Sequence, residues 1–201
     1  MIVRTFPLME KPHPISATAG ILIGGRSRRF GSPKWRAEIG GVTILDQLWE
    51  KCGDFEEKVV IGKEKPADLD KPFLIDESDI QAPIIGLHTL LKNSVHDWNL
   101  LLSCDLPLLT KEVLRKLWKE RDENADIIVP EANGRPQVTC ALYHRRLDKI
   151  VSDSIDRGSF SLTDLADSRN FLMLEMNEVK EVFLNMNTQA DWEKIRIQLD
   201  D

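Results

Sequence analysis

The stretch that most limits what this chain can become is Leu22-Ile23-Gly24-Gly25-Arg26-Ser27-Arg28-Arg29-Phe30-Gly31-Ser32-Pro33-Lys34, an apolar run that breaks into glycines and then into basic residues. Ala19, Ile21, Leu22 and Ile23 form a short continuous apolar segment, the pattern of a central parallel strand buried on both faces. Gly24 and Gly25 can leave that strand by conformations that a Cβ forbids, so successive backbone N–H groups can gather as an anion-binding nest. Arg28, Arg29 and Lys34 add positive charge to the same turn. The loop thus reads as a cradle for a nucleotide's phosphates; surface arginines following strand-end glycines are the plainer alternative. It is neither a G-x-G-x-x-G fingerprint nor a Walker loop, because Gly24 and Gly25 are adjacent and Lys34 does not directly follow Gly31.

The rest of the chain supplies what such a strand needs around it. A helix is expected over Val42–Cys52, where Ile44, Leu45, Leu48, Trp49 and Cys52 share a face and Gly53 supplies a stop. Strands are expected at Lys58–Gly62, at Phe73–Ile75 and at Trp98–Asp105, with a helix behind Pro83 and another from the Thr110 cap to Glu120. This alternation predicts a parallel sheet covered by helices. Ala125–Pro130 and Val138–Tyr143 look like strands joined through a turn at Asn133-Gly134, which makes part of the sheet antiparallel. Helices are expected at Leu147–Ile155 and Leu162–Ala166, then a late strand at Val182–Asn185 and a final helix opened by Thr188 and Asp191 at capping-box spacing. The fold class is α/β: one domain, 18–201, preceded by an irregular arm, 1–17, that carries Pro7, Pro12 and Pro14.

Composition removes whole classes of function. With 201 residues, 42% hydrophobic and 30% charged, the chain is an ordinary soluble globular protein, and no run of about 18 apolar residues is present to span a bilayer. A net charge of −6 argues against nucleic-acid binding, while basic residues concentrated in one loop suit a small phosphorylated ligand. Cys52, Cys104 and Cys140 form neither a disulfide framework nor a zinc pattern, which fits a reducing cytoplasm. His13, His88, His96 and His144 are scattered and receive no chemistry.

In open α/β sheets, ligands sit outside the carboxyl ends of the strands, and unusual polar residues stand at those ends here. Asp105 closes the Leu100-Leu101-Leu102 strand before Pro107; a carboxylate there is the expected anchor for Mg²⁺ beside a triphosphate, or the cap of a tight turn. Asp76 ends another strand and either accepts hydrogen bonds from a ribose or base or is simply solvated. Asn185 and Asn187 flank Met186 on what extended geometry makes one side, as metal or second-substrate ligands or as turn formers. Arg135, before the Val138 strand, can meet an anionic acceptor or stand exposed in a hairpin.

These pieces, in this order, resemble the molybdenum cofactor guanylyltransferases, a branch of the nucleotidyltransferases. The signature L-x-G-G-x-S-x-R-x-G-x-x-K is matched by Leu22, Gly24, Gly25, Ser27, Arg29, Gly31 and Lys34. Pro83-Ile84-Ile85-Gly86 is similar to the family's P-L-x-G segment, Cys104-Asp105-Leu106-Pro107 to C-D-x-P, and Phe183-Leu184-Asn185-Met186-Asn187-Thr188 to F-x-N-x-N-T. The chain departs from the pattern at Pro33, where Asp is usual, at Ile23, where Ala is usual, and at Arg135-Pro136-Gln137, a loose match to Q-P-L. The resemblance implies a single-domain, Rossmann-like three-layer sandwich with a mostly parallel mixed sheet, of the nucleotide-diphospho-sugar transferase type. It implies GTP on Leu22, Ile23, Gly24, Gly25 and Lys34, Mg²⁺ on Asp105, guanosine contacts near Asp76, and a pterin acceptor near Asn185, Asn187 and Arg135. Arg28, Arg29, Lys34 and Asp105 would carry the catalysis: GMP transfer from GTP to the terminal phosphate of molybdopterin or molybdenum cofactor, with loss of pyrophosphate. Cofactor-handling proteins follow as partners. The Gly24-Gly25 pair favours the guanylyl over the cytidylyl branch; related sugar- or small-phosphate nucleotidyltransferases and a non-catalytic nucleotide-binding protein are the rival readings.

Overall fold

The computed structural model describes residues 14–24 and 31–200, the last three without their side chains. The chain runs as β1 (Ile15–Leu22), a 3-10 turn (Lys34–Arg36), a small hairpin of β2 (Glu38–Ile39) and β3 (Val42–Thr43), α1 (Ile44–Lys51), β4 (Phe55–Gly62), β5 (Phe73–Ile75), α2 (Pro83–Asn93) and β6 (Trp98–Ser103). It continues with α3 (Lys111–Lys119), β7 (Ile127–Ala132), β8 (Arg135–Pro136), β9 (Cys140–His144), a 3-10 turn (Arg145–Leu147), α4 (Asp148–Asp156), α5 (Leu162–Asp167), β10 (Phe171–Glu175), a 3-10 segment (Asn177–Phe183) and α6 (Gln189–Asp200).

One sheet gathers strands from the whole chain in the order β10-β7-β9-β6-β1-β4-β5, with β8 added to β7. All of the seven run the same way except β9, which is antiparallel to both β6 and β7. The mixed, mostly parallel sheet is therefore as expected. Its antiparallel strand follows the β7–β8 hairpin, whose turn places Asn133 at φ 55 and Gly134 at φ 72, the left-handed pair that a two-residue hairpin favours.

Alternation along the strands feeds two cores. Ala17, Ala19 and Ile21 of β1 and Leu100 and Leu102 of β6 pack with Leu45 and Leu48 of α1, Val113, Leu114 and Leu117 of α3, and Trp192 and Ile195 of α6. Leu101, Ile127 and Tyr143 face the other way, against Ile84, Leu87 and Leu90 of α2, Val151 of α4 and Leu165 of α5. Three layers result because each strand offers apolar groups to both sides.

Several boundaries differ from the sequence reading. β1 begins at Ile15, within the stretch expected to be irregular, and the helix expected from Val42 begins at Ile44 because Thr43 accepts the Asp46 N–H and caps it. The expected strand at Val182–Asn185 is overturned: Val182 and Phe183 close a 3-10 segment, and Leu184 and Asn185 have no regular structure. β-branched and aromatic residues suggested a strand there, but Phe183 enters the core, with Val182 packed against it, without joining a ladder. The edge strand β10 had no such signal, since Phe171-Leu172-Met173-Leu174 lacks β-branched residues and is only partly buried. Trp49 sits half-buried on the core as expected, and so does Trp118 of α3, each with a cation over its ring.

Candidate active site

The chain departs from β1 in one direction to build β4 and β5, then returns to place β6 on the other side of β1. This is a topological switch point, where the loops leaving neighbouring strands part and open a crevice. Register brings the strand ends level: Leu22 pairs with both Ile61 and Ser103, and Gly62 with Ile75. A cleft of about 350 Å³ opens there between the ends of β1, β4, β5 and β6 and the start of α2, and Leu22, Gly24, Asp76 and Pro83 contribute to its walls. The helix comes this close because Gly86 has no side chain: a Cβ there would stand 2.4 Å from Leu22 Cδ2. Pro83 at the first turn of α2 has no N–H to leave unsatisfied, and its ring is compatible with helix entry.

Asp105 lies two residues past the end of β6, in a turn held from two sides. Its backbone carbonyl accepts the Met186 N–H at 2.8 Å, and the Pro107 carbonyl accepts a hydrogen bond from Lys51 Nζ at 2.8 Å. One carboxylate oxygen of Asp105, Oδ1, is buried with no hydrogen-bond partner among the described residues. A carboxylate oxygen left so is costly unless a cation or donor meets it, and a hard oxygen is the donor type Mg²⁺ prefers. The residues present therefore fit that ion. A magnesium site needs few protein ligands when phosphate oxygens and water supply the rest, and among the described residues no group of three or more metal-binding side chains is assembled.

Lys34, on the 3-10 turn Lys34–Arg36, lies within electrostatic reach of Asp105. Its Nζ donates to Asn187 Oδ1 at 2.9 Å. Burial holds the Lys34 pKa below the usual lysine range, while Asp105 and Asp191 pull it the other way. Asn187 is fixed in turn by the cap of α6: the Asp191 carboxylate accepts the N–H groups of Asn187 and Thr188 and the Thr188 hydroxyl, and Thr188 Oγ1 accepts the Asp191 N–H. The capping box expected at Thr188 and Asp191 thus orients a site residue as well as starting a helix.

The structure brings Leu22, Gly24 and Asp76 to the cleft and joins Lys34 with Asn187, in the electrostatic field of Asp105. Ile23 continues past β1 with its N–H on the Ile61 carbonyl at 3.0 Å. Gly25, Arg28 and Arg29 lie outside the described residues. Asn185 does not share the position of Asn187: it is exposed and its amide turns back to the Phe183 carbonyl at 3.3 Å, because the strand that would have aligned the two does not form. Arg135 is exposed on β8, and its side chain makes no hydrogen bond or ion pair with the described residues. Asp76 is buried rather than solvated, with Oδ2 2.8 Å from Lys63 Nζ and Oδ1 accepting the Ser78 N–H at 3.1 Å. Lys63 escaped the sequence reading, since a lysine after a strand looks like any solvated one; so did Lys51, whose burial only the fold reveals. Cys104, next to Asp105, is buried and its thiol is pushed far up by desolvation, so it offers no nucleophile.

The profile of the MobA-like NTP transferase domain matches residues 19–169, well over half of the chain. The chain belongs to the MobA-like NTP transferase family. A MobA-like relative from Aquifex aeolicus (strain VF5), named a probable molybdenum cofactor guanylyltransferase, is 30% identical over 197 residues, covering 96% of this chain and 96% of its own. One from Bacillus velezensis with the same name is 27% identical, covering 87% of this chain and 92% of its own. Among solved structures, molybdopterin-guanine dinucleotide biosynthesis protein A from Archaeoglobus fulgidus superposes with a TM-score of 0.79 over 91% of this chain and 98% of its own, at 20% identity, and shares the fold. As a MobA-like protein, the chain is a nucleotidyltransferase. No helix among its described residues is long and apolar enough to cross a membrane.

Proposed function

We propose that this nucleotidyltransferase transfers GMP from GTP to the terminal phosphate of molybdopterin, free or carrying molybdenum, and releases pyrophosphate. The observation that supports the proposal is the buried, unpartnered Asp105 oxygen, within electrostatic reach of Lys34 and two residues along the chain from Ser103, which lines the cleft on the strand ends. The names of the relatives support the choice of donor and acceptor.

In the proposed reaction an oxygen of the acceptor's phosphate forms a bond to the α-phosphorus of GTP while the bond from that phosphorus to the β-phosphate oxygen breaks. A phosphate monoester is already ionised at neutral pH, so no strong base is needed. The protein's task is to hold two anions in line and to offset charge on the leaving group. Asp105 would hold Mg²⁺, which when bound polarises phosphate oxygens and orients the donor. Lys34, Arg28 and Arg29 are assigned to offset the charge of the departing pyrophosphate. Leu22, Ile23, Gly24 and Gly25 are assigned to the donor's phosphates, and Asp76, in the wall of the cleft, to the nucleoside. Asn187, tied to Lys34, and the exposed Asn185 and Arg135 are assigned to the acceptor. Partner proteins that deliver or remove the cofactor fit this role, as does a cytoplasmic location.

The decisive experiment incubates the purified protein with Mg²⁺, molybdopterin and each of GTP, CTP, ATP and UTP, and identifies products by mass. A guanine dinucleotide of molybdopterin with equimolar pyrophosphate is the expected result. Tight GTP binding without pyrophosphate under any acceptor refutes the transfer, and a cytidylyl product refutes the base.

A further inference from the structure

We propose that Lys63 is a positioning residue for the nucleoside end of the donor, the hub on which one wall of the cleft is folded. The inference rests on the reading of the cleft as a nucleotide site. Lys63 follows Gly62, the last residue of β4, whose carbonyl accepts the Asp76 N–H at 2.8 Å and so ties the ends of β4 and β5 together. From there its side chain crosses to the loop that joins β5 to α2. Nζ lies 2.8 Å from Asp76 Oδ2 and donates to the Ile80 carbonyl at 2.7 Å and to the Ser78 carbonyl.

An ammonium has three N–H donors, and this loop supplies an acceptor for each. Two bonds within the loop add to these: Asp76 Oδ1 accepts the Ser78 N–H and Ser78 Oγ accepts the Ile80 N–H, both at 3.1 Å. The loop has no strand or helix ladder of its own between Ile75 and Pro83. Its shape is set instead by one cation that its carbonyls and carboxylate surround. The Asp76 side chain is only 9% exposed, so removing the ammonium leaves a buried carboxylate without its counter-charge and two carbonyls without a donor. Asp76 must then move or the loop must open, and Gln81, Ala82 and Pro83, which follow it into the cleft wall and α2, shift with it. No hydrogen bond links this loop to Lys34 or Asp105 among the described residues, so the loss falls on the nucleoside half of the donor and spares the phosphate half.

Calorimetric binding to the full chain in Mg²⁺ tests this with two probes, GTP and inorganic tripolyphosphate, on the unaltered protein, Lys63→Met and Lys63→Arg. Loss of charged hydrogen bonds of this kind should weaken GTP binding by Lys63→Met roughly tenfold or more. Tripolyphosphate binding should stay within about twofold, and Lys63→Arg, which keeps the charge, should recover most of the GTP affinity. In Lys63→Met the backbone amides of Ser78 and Ile80 should also exchange hydrogen faster than in the unaltered protein. If Lys63→Met does not fold, Lys63→Gln is read the same way. GTP binding left within about threefold by loss of the charge overturns the proposal, as does an equal loss for tripolyphosphate, which marks a global defect. Failure of the unaltered protein to bind GTP sinks the nucleotide assignment itself, and this inference with it.

Discussion

Replacing Asp105 by asparagine keeps the size of the side chain and removes its charge, so it separates the ion-holding role from the folding role of this residue. The turn itself should survive: its ties are the Asp105 carbonyl to the Met186 N–H and the Pro107 carbonyl to Lys51, and neither involves the carboxylate. Two effects on stability oppose each other. Burying the unpartnered Oδ1 as part of an anion costs about 1–3 kcal/mol, which the neutral amide reduces, and the attraction between Asp105 and the half-buried Lys34 is lost. The melting temperature of the ligand-free variant should therefore stay within about 3 °C of the original. Catalysis should not survive in the same way. An ion that polarises a phosphoryl oxygen supplies several kcal/mol of transition-state stabilisation, and about 4 kcal/mol corresponds to a roughly thousandfold rate loss. Pyrophosphate release at saturating GTP and acceptor, titrated with Mg²⁺, measures both the rate and the ion requirement. A variant that turns over within about tenfold of the original at the same Mg²⁺ concentration would falsify the assignment of Asp105 as the ion's protein ligand.

Lys51 is mostly buried, and desolvation lowers its pKa from 10.5 to about 8. Between those two values the unfolded chain binds more protons than the folded one, so stability should rise with pH from about 8 to 10.5 and the benefit should be lost as pH falls through 8. Urea unfolding across that range should show the slope in the original protein and not in Lys51→Met. Gly86→Ala places a methyl 2.4 Å from Leu22 Cδ2, so Leu22 must swing toward the cleft; a stability loss of about 1–3 kcal/mol and a raised KM for GTP are expected, and unchanged values of both would contradict the close approach of α2 and β1. Cys104→Ser should lower the melting temperature, since it buries a hydroxyl, while leaving turnover per folded molecule within about twofold, because the thiol is protonated and takes no part in the chemistry.

The elements that sequence made legible are those whose environment is set locally. Leu100-Leu101-Leu102 has the continuous apolar pattern of a strand buried on both sides, and β6 is such a strand, with Asp105 two residues past its end. The Thr188 and Asp191 pair announced its helix start because both partners lie within one turn. What stayed hidden depends on partners far along the chain. Val182 and Phe183 have strand-like composition, yet the Leu184 N–H turns back to the Glu181 carbonyl and the Met186 N–H goes to the Asp105 carbonyl, so no ladder forms. Asn185 and Asn187 were paired by their spacing and separated by the same event. Lys63 and Asp76 are 13 positions apart, 76 − 63, and nothing in their neighbours foretells that one neutralises the other. Ile15–Ala17 belongs to β1 although prolines precede it closely, because Phe55 across the sheet offers a partner to Ile15.

The bond from Met186 to the Asp105 carbonyl has a consequence for the order of assembly. During synthesis the acidic turn emerges well before the segment that fastens it, so a growing chain holds Asp105 without that latch. The turn is thus completed only after residue 186 has been made, and a product truncated or nicked before Met186 should leave Asp105 loosely held even where its central sheet is sound.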